Sequence, residues 1–314
     1  MRKWPALALL GIVCGSTPAA TAQQISPTQV LLPLKPPENE AFSKLNGNWK
    51  LGGDPGQGIF PMLSVNFAVD GDQILAVGHY EIVCSDQIRR YFRSDLVLVG
   101  KLAADGRFTL SSGSLASDGR FFPSSSSDGV AVVVNGATPT DDSKPWKGTY
   151  KFTIPAYKEL SSNPYGDCTS PQTGSFVASA YAPLTGTYTG AIFGEGFGSG
   201  VSVALTVSQN GPQTASGPDG QPQLMLQLFP LSANISVKGS SCFAHGTSRT
   251  PVEGNQLSGN HFDLNFDMDG VAVLMVDGWV SGPNSDTLRA VHFQVGGMAS
   301  KCFNASGVGT LTKQ

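Results

Sequence analysis

The stretch LSVNFAVDGDQILAVGHYEIV, residues 63–83, decides the fold class of this chain. Its first half alternates apolar residues with small or polar ones, which places four apolar side chains on one face of a strand: Leu63, Val65, Phe67 and Val69. Asp70-Gly71 then supplies a turn, because glycine tolerates the positive φ that a tight hairpin needs. Residues 74–83 follow as the return strand, so the stretch predicts an antiparallel hairpin with one buried face.

The same pattern recurs along the chain. Roughly eight strand-like segments separated by turn residues follow one another between residues 45 and 182. The chain has 314 residues with 38 glycines, and it lacks long stretches of helix-forming residues. This composition is typical of short strands joined by turns, so an all-β protein is predicted.

The order of segments then repeats, which predicts an internal duplication. Five matches keep the same order in the two halves: residues 45–49 with 184–188, 63–69 with 201–207, 128–132 with 269–273, Cys84 with Cys242, and Cys168 with Cys302. We therefore predict two tandem antiparallel β-domains, residues 45–182 and 183–314. Each domain is expected to be a barrel or a sandwich that closes on itself.

The N-terminus has the pattern of a secretory signal peptide. Arg2 and Lys3 precede an apolar run over residues 6–13, and Ala20-Thr21-Ala22 is a cleavage site of the A-x-A type. We expect residues 1–22 to be removed and the protein to be periplasmic or extracellular. Cys14 leaves a lipoprotein as the alternative. Residues 23–44 contain four prolines and are expected to form an extended tether, or else a strand that packs on the first domain.

Four cysteines remain after cleavage, and in an oxidising compartment this number predicts two disulfides. Four cysteines allow three pairings. The duplication selects one bridge in each half, Cys84–Cys168 and Cys242–Cys302.

Aromatic residues occur in the glycine-rich connections between the first two strands of each half. Phe60 lies in the first connection, and Phe193 and Phe197 lie in the second. These rings could cover the mouth of a pocket, with plain packing or exposure as the alternative.

Gly47-Asn48-Trp49 opens an eight-stranded unit of the first half, and Gly186-Thr187-Tyr188 occupies the same place in the second. The first triplet resembles the G-x-W opening of the lipocalins, an up-and-down barrel family that binds small apolar ligands. The resemblance implies an interior pocket in each half, lined by Val65, Phe67, Val203 and Leu205. The chain lacks a clear T-D-Y element and the C-terminal helix of that family.

Residues 184–190 and 240–243 also follow the pattern L-T-G-x-Y-x-G and S-S-C-F. In this respect the chain resembles exported bacterial proteins of unknown function that are built from tandem β-domains. That resemblance implies export and a two-domain architecture, and it implies no activity.

Few residues suggest catalysis or metal binding. His261 and Asp263 would face the same side of a strand, and with His292 on a later strand they could gather around a metal; the alternative is a set of half-exposed strand histidines. Paired acids at Asp70/Asp72, Asp141/Asp142 and Asp267/Asp269 could serve an exported hydrolase, although Asp and Gly are also favoured in turns. No cofactor motif and no nucleophile motif are found, so neither a cofactor nor a catalytic residue is predicted.

Charge excludes one class of partner. The formal net charge is −3 and becomes −5 when Arg2 and Lys3 are removed with the signal peptide, and no basic cluster occurs in the sequence. Nucleic-acid binding is therefore not expected. We predict a non-catalytic binding or interaction protein for a small apolar ligand or an envelope partner. The alternatives are a structural component of an envelope or surface layer, and an exported hydrolase.

Overall fold

The computed structural model describes most of the chain from residue 31 onward. The described residues are 31–32, 37, 39–53, 62–83, 91–115, 121–123, 131–141, 144–153, 172–197, 200–211, 214–216, 222–223, 229–240, 245–248, 255–268, 272–296 and 304–314. The segment predicted to be a signal peptide, Cys14, Phe60, Asp142, Asp269 and the four cysteines of the predicted disulfides lie outside these residues.

The first half forms a closed ring of eight antiparallel strands. Its members follow chain order around the ring. Each strand pairs with the next and the last pairs with the first, so the topology is up-and-down. The strands are β2 (Gly47–Gly53), β3 (Met62–Asp70), β4 (Gln73–Val83), β5 (Tyr91–Leu102), β6 (Arg107–Leu115), β8 (Ala131–Ala137), β9 (Trp146–Thr153) and β10 (Gln172–Tyr181), with β7 (Phe121–Pro123) paired to β6.

The second half forms a ring of the same topology that is nearly closed. The pairing that completes this ring joins its fourth strand to its fifth through three residue pairs only. The strands are β11 (Gly186–Phe193), β12 (Val201–Gln209), β15 (Leu231–Lys238), β16 (His245–Ser248), β18 (His261–Met268), β19 (Ala272–Ser281), β20 (Thr287–Gly296) and β21 (Ser306–Lys313), with β17 (Gln256–Ser258) paired to β18. The prediction of two tandem all-β domains is confirmed, and both are barrels.

Short elements lie outside the rings. In the predicted tether, β1 (Leu31–Leu32) pairs with β13 (Thr214–Ser216), which also pairs with β14 (Pro222–Gln223). A 3-10 helix, Glu40–Leu45, leads into the first barrel, and its last residue is buried in that barrel's core. This six-residue helix is the only one in the described part of the chain, which therefore contains no helix that could cross a bilayer.

Alternating side chains fill both barrels. In β3, Val65, Phe67 and Val69 point inward and are at most 1% exposed, as their period of two predicts. Edge-to-face aromatic contacts dominate the middle of the first barrel, where the rings of Trp49, Trp146, Phe67, Phe108 and Phe176 pack together.

The two barrels share their structural details, as expected for a duplicated unit. Gly47 and Gly186 both begin the first strand of a ring with a positive φ, of 129° and 139°. Two residues later, Trp49 and Tyr188 are both fully buried.

A second shared detail lies further along each barrel. Phe108 pairs with Gly136 in the first barrel, and Phe262 pairs with Gly278 in the second. Each ring lies so close to the paired glycine that a Cβ on that glycine would approach it within 2.7 Å and 3.1 Å, respectively. This phenylalanine–glycine pair was not identified from the sequence.

The outer face of β3 and β4 packs against the second barrel. Ala68, Leu75 and Val77 point away from the interior of their own barrel and belong to the apolar cluster of the other one. At the centre of this junction, the buried Asn66 accepts a hydrogen bond of 2.6 Å from the amide of Gly259 and donates one of 3.1 Å to its carbonyl. The two barrels therefore dock through a face with both apolar and polar contacts.

Candidate functional site

The large apolar side chains that remain exposed lie on one face of the second barrel. Among the described residues these are Phe193, Val308 and Met275, which are 70%, 50% and 37% exposed. They belong to β11, β21 and β19, strands that lie side by side with β20 between the last two. Soluble proteins rarely cluster exposed apolar residues without a binding role, so this face is the candidate site.

A trough of about 490 Å³ lies on this face. Small residues form much of its lining, and Phe193 and Val308 stand beside them: Ala191, Phe193, Ala290, His292, Val308, Gly309 and Thr310. The pairing of β20 with β21 shifts between Leu288 and Val291, and Ala290 has a φ of 47° within this bulge. A bulge bends its strand and redirects the neighbouring side chains, which explains a depression at this point of the wall.

His292 connects the trough to a row of acids and histidines. Its Nδ1 atom lies 3.5 Å from Oδ2 of Asp277 on β19. The same carboxylate oxygen lies 3.7 Å from Nε2 of His261, whose Nδ1 atom is 3.4 Å from Oδ2 of Asp263 on β18. Two carboxylates and two imidazoles thus alternate across three strands.

This row reaches the junction between the barrels. The ring of His261 packs on Trp279 with the centroids 4.5 Å apart, and its edge meets His79 of the first barrel at 5.3 Å. His79 also packs edge-to-face against Trp279, at 5.2 Å. The three rings form a triangle that draws on both barrels, with the trough on the far side of Asp277.

At the positions equivalent to Asp263, Asp277 and His292, the first barrel carries uncharged residues. Thr109, Asn135 and Thr149 pair across β6, β8 and β9 as Asp263, Asp277 and His292 do in the second. The hydroxyl of Thr109 donates a hydrogen bond of 2.7 Å to the Asn135 side chain. The acidic and histidine residues are therefore a feature of the second copy alone.

Sequence reasoning indicated part of this row. The structure brings together His261, Asp263 and His292, as their strand spacing suggested. Asp277, which links them, was missed, and the hairpin pairing of β19 with both neighbours is the signal that would have identified it. In the described part of the chain, no group of three or more His, Cys, Asp or Glu side chains has the arrangement of a metal site.

The four strand residues predicted to line interior pockets lie two in each barrel. Val65 and Phe67 are buried in the core of the first barrel, whereas Val203 and Leu205 are buried in the core of the second. Phe197 is also buried in the second core. Phe193 ends β11 and points outward, where it lines the trough. A ligand pocket inside each barrel stays a prediction.

Two buried tyrosines lie near the junction. The hydroxyl of Tyr188 donates a hydrogen bond of 2.6 Å to the carbonyl of Ser285. Burial, followed by the nearby carboxylate of Asp286, raises the pKa of Tyr188 to about 12. Burial also raises the pKa of Tyr181, whose hydroxyl donates to the carbonyl of Gly259. Both phenols are neutral hydrogen-bond donors at physiological pH. They anchor the backbone at Ser285 and Gly259.

The fold and the site define a tandem pair of up-and-down barrels with an external apolar trough. No protein-family model, no curated protein and no solved structure matches the chain.

Proposed function

We propose that the protein is an exported, non-catalytic binding protein that holds a small apolar ligand in the trough on the outer face of its second barrel. The observation that carries this proposal is the exposure of Phe193 and Val308 beside His292 in the lining of the trough. Covering exposed apolar surface is favourable by roughly 25 cal/mol per Å², so such a cluster is the part of the described surface with most to gain from a ligand.

The size of the trough favours a small molecule over a protein partner. Its volume of about 490 Å³ lies in the usual range for small-molecule sites, roughly 300–1,000 Å³. Seven residues line it. A stable protein interface uses about 20–30 residues on each side.

Packed side chains occupy the interior of the first barrel. The residues that a lipocalin-like pocket would use are already packed against aromatic and aliphatic neighbours, such as Phe67 against Phe108 and Trp146. A ligand there would have to displace close-packed side chains, which costs free energy, whereas the trough is already open.

Export is the second part of the proposal, and the charged, apolar and A-x-A segments of residues 1–22 support it.

Binding of the neutral dye Nile red to the full-length mature chain tests the trough. Phe193→Ser is expected to weaken dye binding at least tenfold, because about 1.5–3 kcal/mol of apolar burial is lost when a phenylalanine no longer contributes. Val133→Thr is the matched control, since Val133 is an outward-facing, half-buried residue of β8 in the first barrel. Thermal melting of both variants by circular dichroism establishes that they are folded.

Native mass spectrometry of protein purified from its own host provides the second measurement. A small molecule that copurifies with the wild type and is lost from Phe193→Ser supports the proposal. Unchanged dye affinity in folded Phe193→Ser would rule out the trough as the binding site.

A further inference from the structure

We infer that the ligand of the trough carries a hydrogen-bond donor, such as a phenolic or alcoholic hydroxyl on its apolar body, and that His292 accepts this hydrogen bond through Nε2. This inference rests on the proposed function and specifies the chemical class of the ligand. It follows from the two sides of the His292 ring.

The first side of the ring faces a carboxylate. Nδ1 of His292 lies 3.5 Å from Oδ2 of Asp277, on the neighbouring strand β19. An ionised carboxylate only accepts hydrogen bonds. Of the two tautomers of the neutral ring, it therefore favours the one that has its proton on Nδ1. In this tautomer Nε2 has no proton and carries a lone pair.

The second side of the ring faces the trough. Two residues of the lining, His292 and Ala290, belong to β20. The others come from β11 and β21, which lie on the side of β20 opposite to β19. The two ring nitrogens lie on different edges of an imidazole, so a nitrogen turned toward Asp277 leaves the other for the trough. The only other side chain with a polar group in the lining is Thr310, whose hydroxyl can donate or accept.

The rest of the lining excludes an anionic ligand. The acidic groups beside His292 are Asp277 and, beyond it, Asp263. The lining itself contains no lysine or arginine. An anion would meet repulsion from the two carboxylates and lose its hydration against apolar side chains. A neutral donor group satisfies the Nε2 lone pair without either cost.

Three neutral probes with the same naphthalene ring system test this inference at pH 7. Their binding to the full-length mature chain is measured by fluorescence titration. Naphthalene has no polar group, 2-naphthol adds a donor, and 2-methoxynaphthalene adds only an acceptor. Wild type is expected to prefer 2-naphthol to 2-methoxynaphthalene by about fivefold or more, the factor that corresponds to about 1 kcal/mol for one hydrogen bond. His292→Leu is expected to bring the ratio of these two affinities to about one, whatever its affinity for naphthalene.

Asp277→Asn separates positioning of the ring from a merely structural effect. Its amide can donate to Nδ1, which would move the proton of the neutral ring to Nε2 and turn that atom into a donor. We expect this variant to bind 2-methoxynaphthalene better than wild type does, and Thr310→Val to leave the sign of the wild-type preference unchanged.

The outcomes distinguish the two proposals. If naphthalene binds and the three probes show equal affinity in wild type and His292→Leu, the donor inference is wrong while the trough remains a binding site. If no probe binds and Nile red binding is insensitive to Phe193→Ser, the proposed function itself fails.

Discussion

Replacing Gly259 with alanine tests how the two barrels are held together. Gly259 lies in the turn between β17 and β18 of the second barrel, with a φ of 60°. A Cβ atom at this position would fall against the carbonyl oxygen of Ser64 and within 2.9 Å of the His79 amide nitrogen, both in the first barrel. The turn therefore approaches the outer face of β3 and β4 as closely as backbone atoms allow.

The expected cost has two parts. A left-handed backbone conformation costs alanine about 1–2 kcal/mol more than glycine. A methyl group forced into a packed contact costs about 1–3 kcal/mol more. The sum of about 2–5 kcal/mol falls on the junction, because the opposing atoms belong to the other barrel. The hydrogen bonds between Gly259 and Asn66 would lengthen as the barrels separate.

Differential scanning calorimetry and urea unfolding of the full-length chain measure this effect. We expect the wild-type barrels to unfold together, and Gly259→Ala to unfold at lower temperature and in two separate transitions. Two glycines serve as controls. Gly200 has a φ of 79° and no described atom within 4 Å of its Cβ position, so Gly200→Ala carries the backbone cost alone. Gly211→Ala carries neither cost. If Gly259→Ala is no more destabilising than Gly200→Ala, the barrels do not touch as described.

Three other perturbations have definite expectations. Asn48→Ala removes a buried side chain that donates a hydrogen bond across the junction and should cost about 2 kcal/mol in urea unfolding. Thr187→Ala, at the half-buried equivalent position of the second barrel, should change stability by less than about 0.5 kcal/mol. The pKa of Tyr188 is raised to about 12 in the folded protein, from about 10 in the unfolded chain. Its contribution to the free energy of unfolding is therefore complete below pH 10 and is lost as pH rises through 12, and Tyr188→Phe should remove this part of the loss of stability at alkaline pH. Gly136→Ala should destabilise by about 1–3 kcal/mol and Gly278→Ala by less, since the added methyl is more crowded at the first position; equal melting temperatures would contradict this.

Much of the fold could be predicted from local patterns. The alternation in β3 and the turn at Asp70-Gly71 required only the period of a strand and the backbone freedom of glycine. The choice of a barrel over a sandwich could not be predicted, because it depends on whether β5 pairs with β6 and β16 with β18. Pairing between strands is a tertiary property, and the alternation of side chains is the same in both architectures.

The candidate site was harder to predict for a related reason. Phe193 and Val308 are 115 residues apart and meet only because β11 pairs with β21, the first and last strands of the ring. Periodicity also assigns a side chain to one face without saying which face is inside. For Phe193 the sequence left both cover of a pocket mouth and plain packing or exposure open, and the structure places its exposed ring at a depression on the outer wall.

The differences in charge along the row of His261, Asp263, Asp277 and His292 lie on the outward faces of the two barrels. Inward positions keep the same role in both copies, as Trp49 and Tyr188 do. Outward positions have diverged in opposite senses. The pair Asn48 and Asn66 is buried against the second barrel, while in its equivalent Thr187 is half-buried and Thr206 is exposed to solvent.

The uncharged row of Thr109 and its neighbours in the first barrel corresponds, in the second, to the acids and histidines that end at the trough. One outer surface thus became a docking face and another a candidate binding face. Inward residues also differ, since Phe67 corresponds to Val207, but both of these side chains are apolar and packed in a core. The difference in charge lies instead on the outer wall, beside the trough.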